Sequence, residues 1–212
     1  MKTIGLLILT IFSITTLKAQ EMTIGPSGGV GHSWFTGTNE HVVFNPLYNI
    51  GAAFVYSSRK HWGFGADVKY SAEGIKVVNQ IGANQYNSTI ETDYIRMPLR
   101  VTYYFTTDDK MIRPKISLGP TLGFLTNVKF AYEDYVNGES IPLFSSRSDF
   151  RNFDFGMQAS AGVAIRLAKR MWFNADFTYY NGLVKANLYG TETLMNRNLC
   201  INVGVAFGIG KK

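Results

Sequence analysis

The sequence predicts an all-β protein: an antiparallel, up-and-down, eight-stranded transmembrane β-barrel preceded by a cleaved signal peptide. Three observations lead there. Eight segments alternate apolar and polar residues over ten or more positions, their connections alternate short and long, and the amino terminus carries an export signal. Because successive side chains of a strand point to opposite faces, each segment has one face suited to lipid and one suited to a polar interior.

The export signal comes first. Lys2 supplies a positive start, Ile4 to Leu17 is mostly apolar but interrupted by Thr10, Ser13, Thr15 and Thr16, and Leu17-Lys18-Ala19 puts a small residue just before Gln20. A membrane anchor needs roughly 18 apolar residues. Residues 1–19 are therefore read as a signal peptide cleaved after Ala19, and 20–212 as one barrel domain without linker, repeat or low-complexity stretch. No other stretch suits a spanning helix, so insertion is by strands.

Strands are placed at 24–36, 47–57, 62–73, 92–105, 114–131, 153–167, 171–181 and 196–209. The first carries Trp34 to the outer rim, and the second Tyr56 to the inner rim. The third has Trp62 at the inner rim, Tyr70 at the outer, and Asp67 and Lys69 facing inward. The fourth opposes Ile95, Met97, Leu99, Val101, Tyr103 and Phe105 to Tyr94, Arg96, Pro98, Arg100, Thr102 and Tyr104. Two arginines on one face cannot hide in the apolar cavity of a lipocalin-like soluble carrier, so that face is assigned to a polar lumen. The fifth strand turns Lys115 and Lys129 inward. The sixth sets Phe153 at the outer rim and Asp154 and Arg166 inside. The seventh is the cleanest: Met171, Phe173, Ala175, Phe177 and Tyr179 fall on one face, and Trp172, Asn174, Asp176, Thr178 and Tyr180 on the other. The eighth brings Phe207 to the inner rim. Rings at both rims suit the boundary between hydrocarbon and headgroups. Bulges are expected at Pro98 and Pro120, since proline removes a ladder hydrogen bond.

The turns 57–61, 106–113 and 168–170 are short and polar, while 37–46, 74–91, 132–152 and 182–195 are long. In outer-membrane barrels short turns face the periplasm and long loops face outward, and an even strand count returns both termini to the periplasmic side. About 24 residues per strand and connection exceed what a ~25 Å apolar band requires, so the fifth and sixth strands are expected to project beyond it.

An eight-stranded barrel is only wide enough to be filled by its own side chains. Asp67, Lys69, Arg96, Arg100, Lys115, Lys129, Asp154, Arg166 and Asp176 are thus expected to form a packed ionic plug with a structural role. Asp67 and Asp176 should each meet an arginine or lysine, with Asn174, Asn202 and Tyr104 completing hydrogen bonds. The alternative reading of these charges is an ion path or a ligand site.

The rest of the composition narrows function. The 12 Tyr, 15 Phe and 21 Gly favour strands and barrel corners. A formal charge of +6, falling to +4 once Lys2 and Lys18 leave with the signal, is too scattered for a nucleic-acid partner, because no more than two Lys or Arg are adjacent. Cys200 is single and excludes an internal disulfide, and no Cys or His spacing resembles a metal-ligand set. His32 and Ser33 are adjacent, so in a strand they point to opposite faces and do not pair as base and nucleophile. His61 lies in a turn and His41 beside Glu40 in a loop, without a second His near either. No catalytic residue, cofactor or metal is assigned, and the protein is not expected to be an enzyme. The loop 132–152 mixes Tyr132, Tyr135, Ile141, Leu143 and Phe144 with Glu133, Asp134, Arg147 and Arg151, which suits a partner-binding surface or a self-packed loop. The sequon Asn87-Ser88-Thr89 carries little weight in a bacterial barrel.

The fourth strand, Tyr94-Ile95-Arg96-Met97-Pro98-Leu99-Arg100, resembles the Tyr-Ile-x-(apolar)-Pro-Leu strand of the PorT-like outer-membrane β-barrel proteins of Bacteroidota. The Ala19-Gln20 junction, the Gly-rich fifth strand around Gly119 and Gly123, and the closing strand from Asn196-Arg197-Asn198 to Gly208 are similar too. Asn202 to Ile209 resembles the closing-strand signal read by the barrel-assembly machinery, although Gly210-Lys211-Lys212 follows where a terminal aromatic is frequent. The resemblance implies a small integral outer-membrane protein with no established catalytic activity, some of whose relatives assist a secretion system that exports surface proteins. The expected role is structural or interactive, presented by the outer loops. The alternatives are an accessory subunit of a secretion system, a narrow porin and a lipid A-modifying barrel enzyme. Outer-membrane lipids, the assembly machinery during biogenesis, and a secretion-complex or surface protein are the expected partners.

Overall fold

The computed structural model describes residues 20–37, 41–58, 60–81, 84–134, 140–141, 147–189 and 193–209. The expected signal peptide, residues 1–19, lies outside the described residues, as do Glu40, Tyr135, Leu143, Phe144 and the terminal Gly210-Lys211-Lys212.

Eight long strands form the wall: β1 (Gln20–Thr36), β2 (Pro46–Ser58), β3 (Trp62–Ile81), β4 (Asn84–Tyr104), β5 (Ile112–Asp134), β6 (Phe153–Ala168), β7 (Met171–Gly182) and β8 (Met195–Ile209). Each pairs antiparallel with its neighbours in sequence. The last pairs back on the first from Met22↔Ile209 to Thr36↔Met195, so the sheet closes. Closure leaves the wall without an edge, the condition for placing backbone polar groups in lipid.

Alternation sorts the side chains. On β8, Asn196, Asn198, Cys200, Asn202 and Ala206 are buried in the interior, while Ile201, Val203 and Phe207 are exposed on the outside. The same outward row continues around the wall through Ile24, Ile50, Phe64, Val68, Leu99 and Leu118. So continuous an apolar belt needs lipid to cover it. Rings bound it at both ends. At the end of the short turns, Trp62 and Phe105 stand edge-on to Tyr103, with centroids 5.1 and 5.4 Å away. At the other end, Trp34 stacks on His32 at 5.0 Å and meets Tyr179 at 6.4 Å.

The wall departs from the expected one in two ways. The segment 74–91 is not a loop: β3 runs on to Ile81 and β4 begins at Asn84, paired from Gly74↔Glu91 to Ile81↔Asn84. With β5 reaching Asp134, it is β3, β4 and β5 that project, whereas β6 begins at Phe153 without extension. The extension is held because Ile75 and Val77 turn inward onto an apolar cluster. Gly74 permits it, with φ of 145° and the Ile90 carbonyl oxygen occupying the space that a Cβ would need. Val42–Val43 pairs along one side of the extension and Ser140–Ile141 along the other.

The second departure concerns the prolines. Pairing lapses beside Pro98 and Pro120, yet the register on either side is unchanged, Pro98↔Thr121 being followed by Val101↔Leu118. Each proline removes a bond without adding a residue. The bulge lies higher, where Tyr94 pairs with Leu125 but Asp93 pairs with Asn127, leaving Thr126 extra on β5. The Thr126 hydroxyl donates to the Asp93 carbonyl at 2.9 Å and Asn127 Nδ2 to Asp93 Oδ2 at 3.1 Å, which pins the bulge. Beyond it the faces of β5 exchange: Val128 is buried and Lys129 is exposed. The assignment of Lys129 to the lumen is thereby corrected, because one extra residue inverts a period of two.

Candidate functional site

The interior is built in tiers. Highest in the polar lumen is Arg96 of β4. Its Nε and Nη2 donate to the two carboxylate oxygens of Glu73 at 2.9 and 2.6 Å, and its Nη1 to Asp154 Oδ2 at 2.6 Å. Only a planar guanidinium spans two carboxylates in this fashion. The Tyr94 and Tyr180 rings lie 4.2 and 4.5 Å from its central carbon, one on each side. Tyr180 Oη and Asn196 Nδ2 also donate to Asp154 Oδ2, at 3.0 and 2.8 Å.

The next tier joins β3, β4, β5, β7 and β8. Arg100 Nη2 donates to Asp67 Oδ1 at 2.6 Å, and Lys69 Nζ lies 3.5 Å from Asp67 Oδ2 and donates to Asn202 Oδ1 at 3.3 Å. Lys115 Nζ donates to Asp176 and to Asn174, both at 2.9 Å. Through the two tiers, the acids Asp67, Glu73, Asp154 and Asp176 meet the bases Lys69, Arg96, Arg100 and Lys115. An unpaired charge in such a place would cost on the order of 3–5 kcal/mol. Cys200 sits among these groups as an acceptor, 3.2 Å from Asn202 Nδ2.

Arginines close the mouth at the short turns. Arg166 lies over the Trp172 ring at 4.8 Å. Arg113 lies over Tyr104 at 3.9 Å and donates to the carbonyls of Lys60 and Thr106 at 3.0 and 3.3 Å. Two members of this interior were not anticipated. Glu73 shares the parity of Asp67 and Lys69, and Arg113 that of Lys115, but the first stood beside an expected loop and the second inside an expected turn. Cavities of about 30 and 40 Å³ lie beside Arg96 and Lys115, each enough for a few waters at most, and a wider cleft of about 160 Å³ reaches Glu73 from the side of Tyr48, Tyr70, Glu91 and Asp93.

The opposite mouth is stopped by an apolar cluster of Phe35, Ile75, Val77, Tyr94, Leu125, Val128, Phe150 and Ala186. Phe150 precedes β6 and Ala186 follows β7, so two loops fold over the opening. They are joined to each other: Arg151 N donates to the Ala186 carbonyl at 2.7 Å, Leu188 N to that of Asp149 at 2.8 Å, and Phe150 bridges Asn187. Asn187 Nδ2 and Oδ1 then bind the Tyr189 carbonyl and Leu194 N at 2.7 and 3.1 Å. This platform leaves Leu188 46% and Tyr189 71% exposed at its surface. Elsewhere, Ser33 is buried inside the wall, whereas His32 is stacked between Trp34 and Phe44 on its outside, so the two do not face one another.

A sequence-family model described as outer membrane protein beta-barrel domain matches residues 18–186. Comparison with curated proteins gives no match. Among solved structures, a major outer membrane protein from Thermus thermophilus is similar, with 11% identity, 90% of this chain and 100% of that one covered, and a TM-score of 0.53. Neisserial surface protein A shares 11% identity over 90% of this chain and 100% of its own, at a TM-score of 0.47. Ail of Yersinia pestis, solved with the heparin analogue sucrose octasulfate, shares 10% over 90% and 99%, at 0.46. At 11% identity the likeness to the Thermus thermophilus protein concerns the fold.

Proposed function

This chain belongs to the outer membrane protein β-barrel domain family and is a bacterial outer-membrane barrel; from that premise we propose that it is a closed, non-conducting barrel that presents an interaction surface on its outer loops. The observation that carries the reading is the stoppered mouth. Loops that served only to line an entrance would not need to bury Phe150 and Ala186 in a common cluster and bond to each other across the opening. A preorganised platform with apolar residues at its tip is what a partner-binding surface requires, since little ordering remains for association to do. Tyr189 is the anchor, an amphipathic ring of the kind enriched at binding hot spots, with Leu188 beside it; Leu188 N donates to the Asp149 carbonyl and Asn187 Nδ2 to the Tyr189 carbonyl.

The resemblance of the fourth strand to PorT-like proteins supplies a class of partner, a subunit of an outer-membrane assembly that exports surface proteins. The test is extraction in mild detergent followed by sizing and identification of what co-elutes. Wild-type protein should run within a larger assembly, and the double variant Leu188→Asp, Tyr189→Asp should run alone while keeping the heat-dependent gel mobility of a closed barrel. Wild-type protein running alone argues against a stable complex. Stepwise conductance of the purified barrel in a planar bilayer would replace this reading with that of a narrow porin.

A further inference from the structure

The outer wall carries a cation where lipid headgroups begin. Among the described residues of the eight strands, no outward-facing residue between the two aromatic girdles is charged, but at the level of the outer girdle β8 presents Arg197. Its neighbours Asn196 and Asn198 are buried in the lumen, so Arg197 faces out. The register places it directly between Trp34 of β1 and Asn181 of β7.

Its polar contacts are incomplete. Nη1 donates to Tyr179 Oη at 2.7 Å. Nε is shielded from solvent and has no partner, and the adjacent Asn181 Oδ1 is in the same condition. Among the described residues, the guanidinium pairs with no carboxylate. A phenol hydroxyl leaves the charge uncompensated, and an arginine on a lipid-facing wall is costly unless it meets the headgroup layer. Tryptophan and tyrosine mark that layer, and Trp34 and Tyr179 flank this arginine. The chemistry that fits is a phosphate: two oxygens for the outer fork of Nη2 and the second hydrogen of Nη1, with Trp34 and Tyr179 beside it to pack against the sugar or chain that bears it.

We propose that Arg197, with Trp34 and Tyr179, seats the phosphate of an outer-leaflet lipid headgroup. The site rests on the outer-membrane barrel and not on the loop-borne role, so it can fail while that role stands. The experiment is native mass spectrometry of the full mature barrel titrated with lipid A, with enzymatically dephosphorylated lipid A, and with phosphatidylcholine. Wild-type protein should retain the phosphorylated lipid over the dephosphorylated one by roughly tenfold, the scale of one charge-assisted fork. Arg197→Gln should abolish that preference, and Arg197→Lys, which keeps a point charge without the fork, should fall between them. Equal retention of the two lipid A forms by wild type would overturn the proposal, as would an undiminished preference in Arg197→Gln. Heat-dependent gel mobility checks that each variant is closed, and Arg197→Lys alone decides the matter if Arg197→Gln does not fold.

Discussion

Arg96 shows how much a single side chain can organise. It neutralises one of two carboxylates, Glu73 and Asp154, and bridges both. Arg96→Ala would leave those carboxylates facing each other without a cation, at a cost of about 3–5 kcal/mol. The expected outcome is a large fall in the temperature at which the compact gel form is lost. Glu73→Gln, Arg96→Met, Asp154→Asn removes every charge of the tier together and should recover much of that loss, because the penalty comes from stranded charge more than from the missing bonds. If the triple variant is no more stable than Arg96→Ala, stacking between Tyr94 and Tyr180 outweighs the electrostatics. Parity in the sequence makes the inward face of Arg96, Arg100, Asp67, Lys69, Lys115, Asp154, Arg166 and Asp176 legible. It cannot say which acid meets which base, since partners such as Arg96 and Asp154 lie on β4 and β6, which are not neighbours in the sheet.

At the scale of the element, two local features redirect whole strands. Thr126 inverts the faces of β5 above it, and no residue type near it announces a bulge, which is why Lys129 is misread from sequence while Lys115 is not. Gly74 lets β3 continue past the membrane, and the run that follows looks like loop because apolar residues are sparse in it; among the described residues, Ile75, Val77 and Ile90 anchor it to the cluster. Gly74→Ala should strain the backbone by about 1–3 kcal/mol and press a methyl against the Ile90 carbonyl. Hydrogen exchange is the suitable readout: amides of 75–90 should exchange faster, and those of β7 and β8 should not change. Uniform acceleration throughout the wall would mean that the hairpin and barrel open as one unit, contrary to the arrangement of projecting strands over a closed base.

Across the whole molecule, three layers divide the labour along the barrel axis: an apolar stopper under the outer loops, a balanced set of ion pairs in the middle, and arginines stacked on Tyr104 and Trp172 at the mouth of the short turns. This ordering keeps the charges where bulk solvent does not reach them, with the side chains of Asp67, Glu73 and Asp154 at most 2% exposed. Screening acts on exposed charges and only weakly on enclosed ones. Raising ionic strength from about 0.05 to about 0.5 M should therefore shift the melting of the compact form by no more than a few degrees. Lipid phosphate retention at Arg197, on the open wall, should weaken over the same range. The contrast between these two responses in one preparation is the informative quantity. If the fold loses stability with salt as steeply as the lipid is lost, ions reach the plug, the apolar stopper does not seal the mouth, and the interior must be reconsidered as a path.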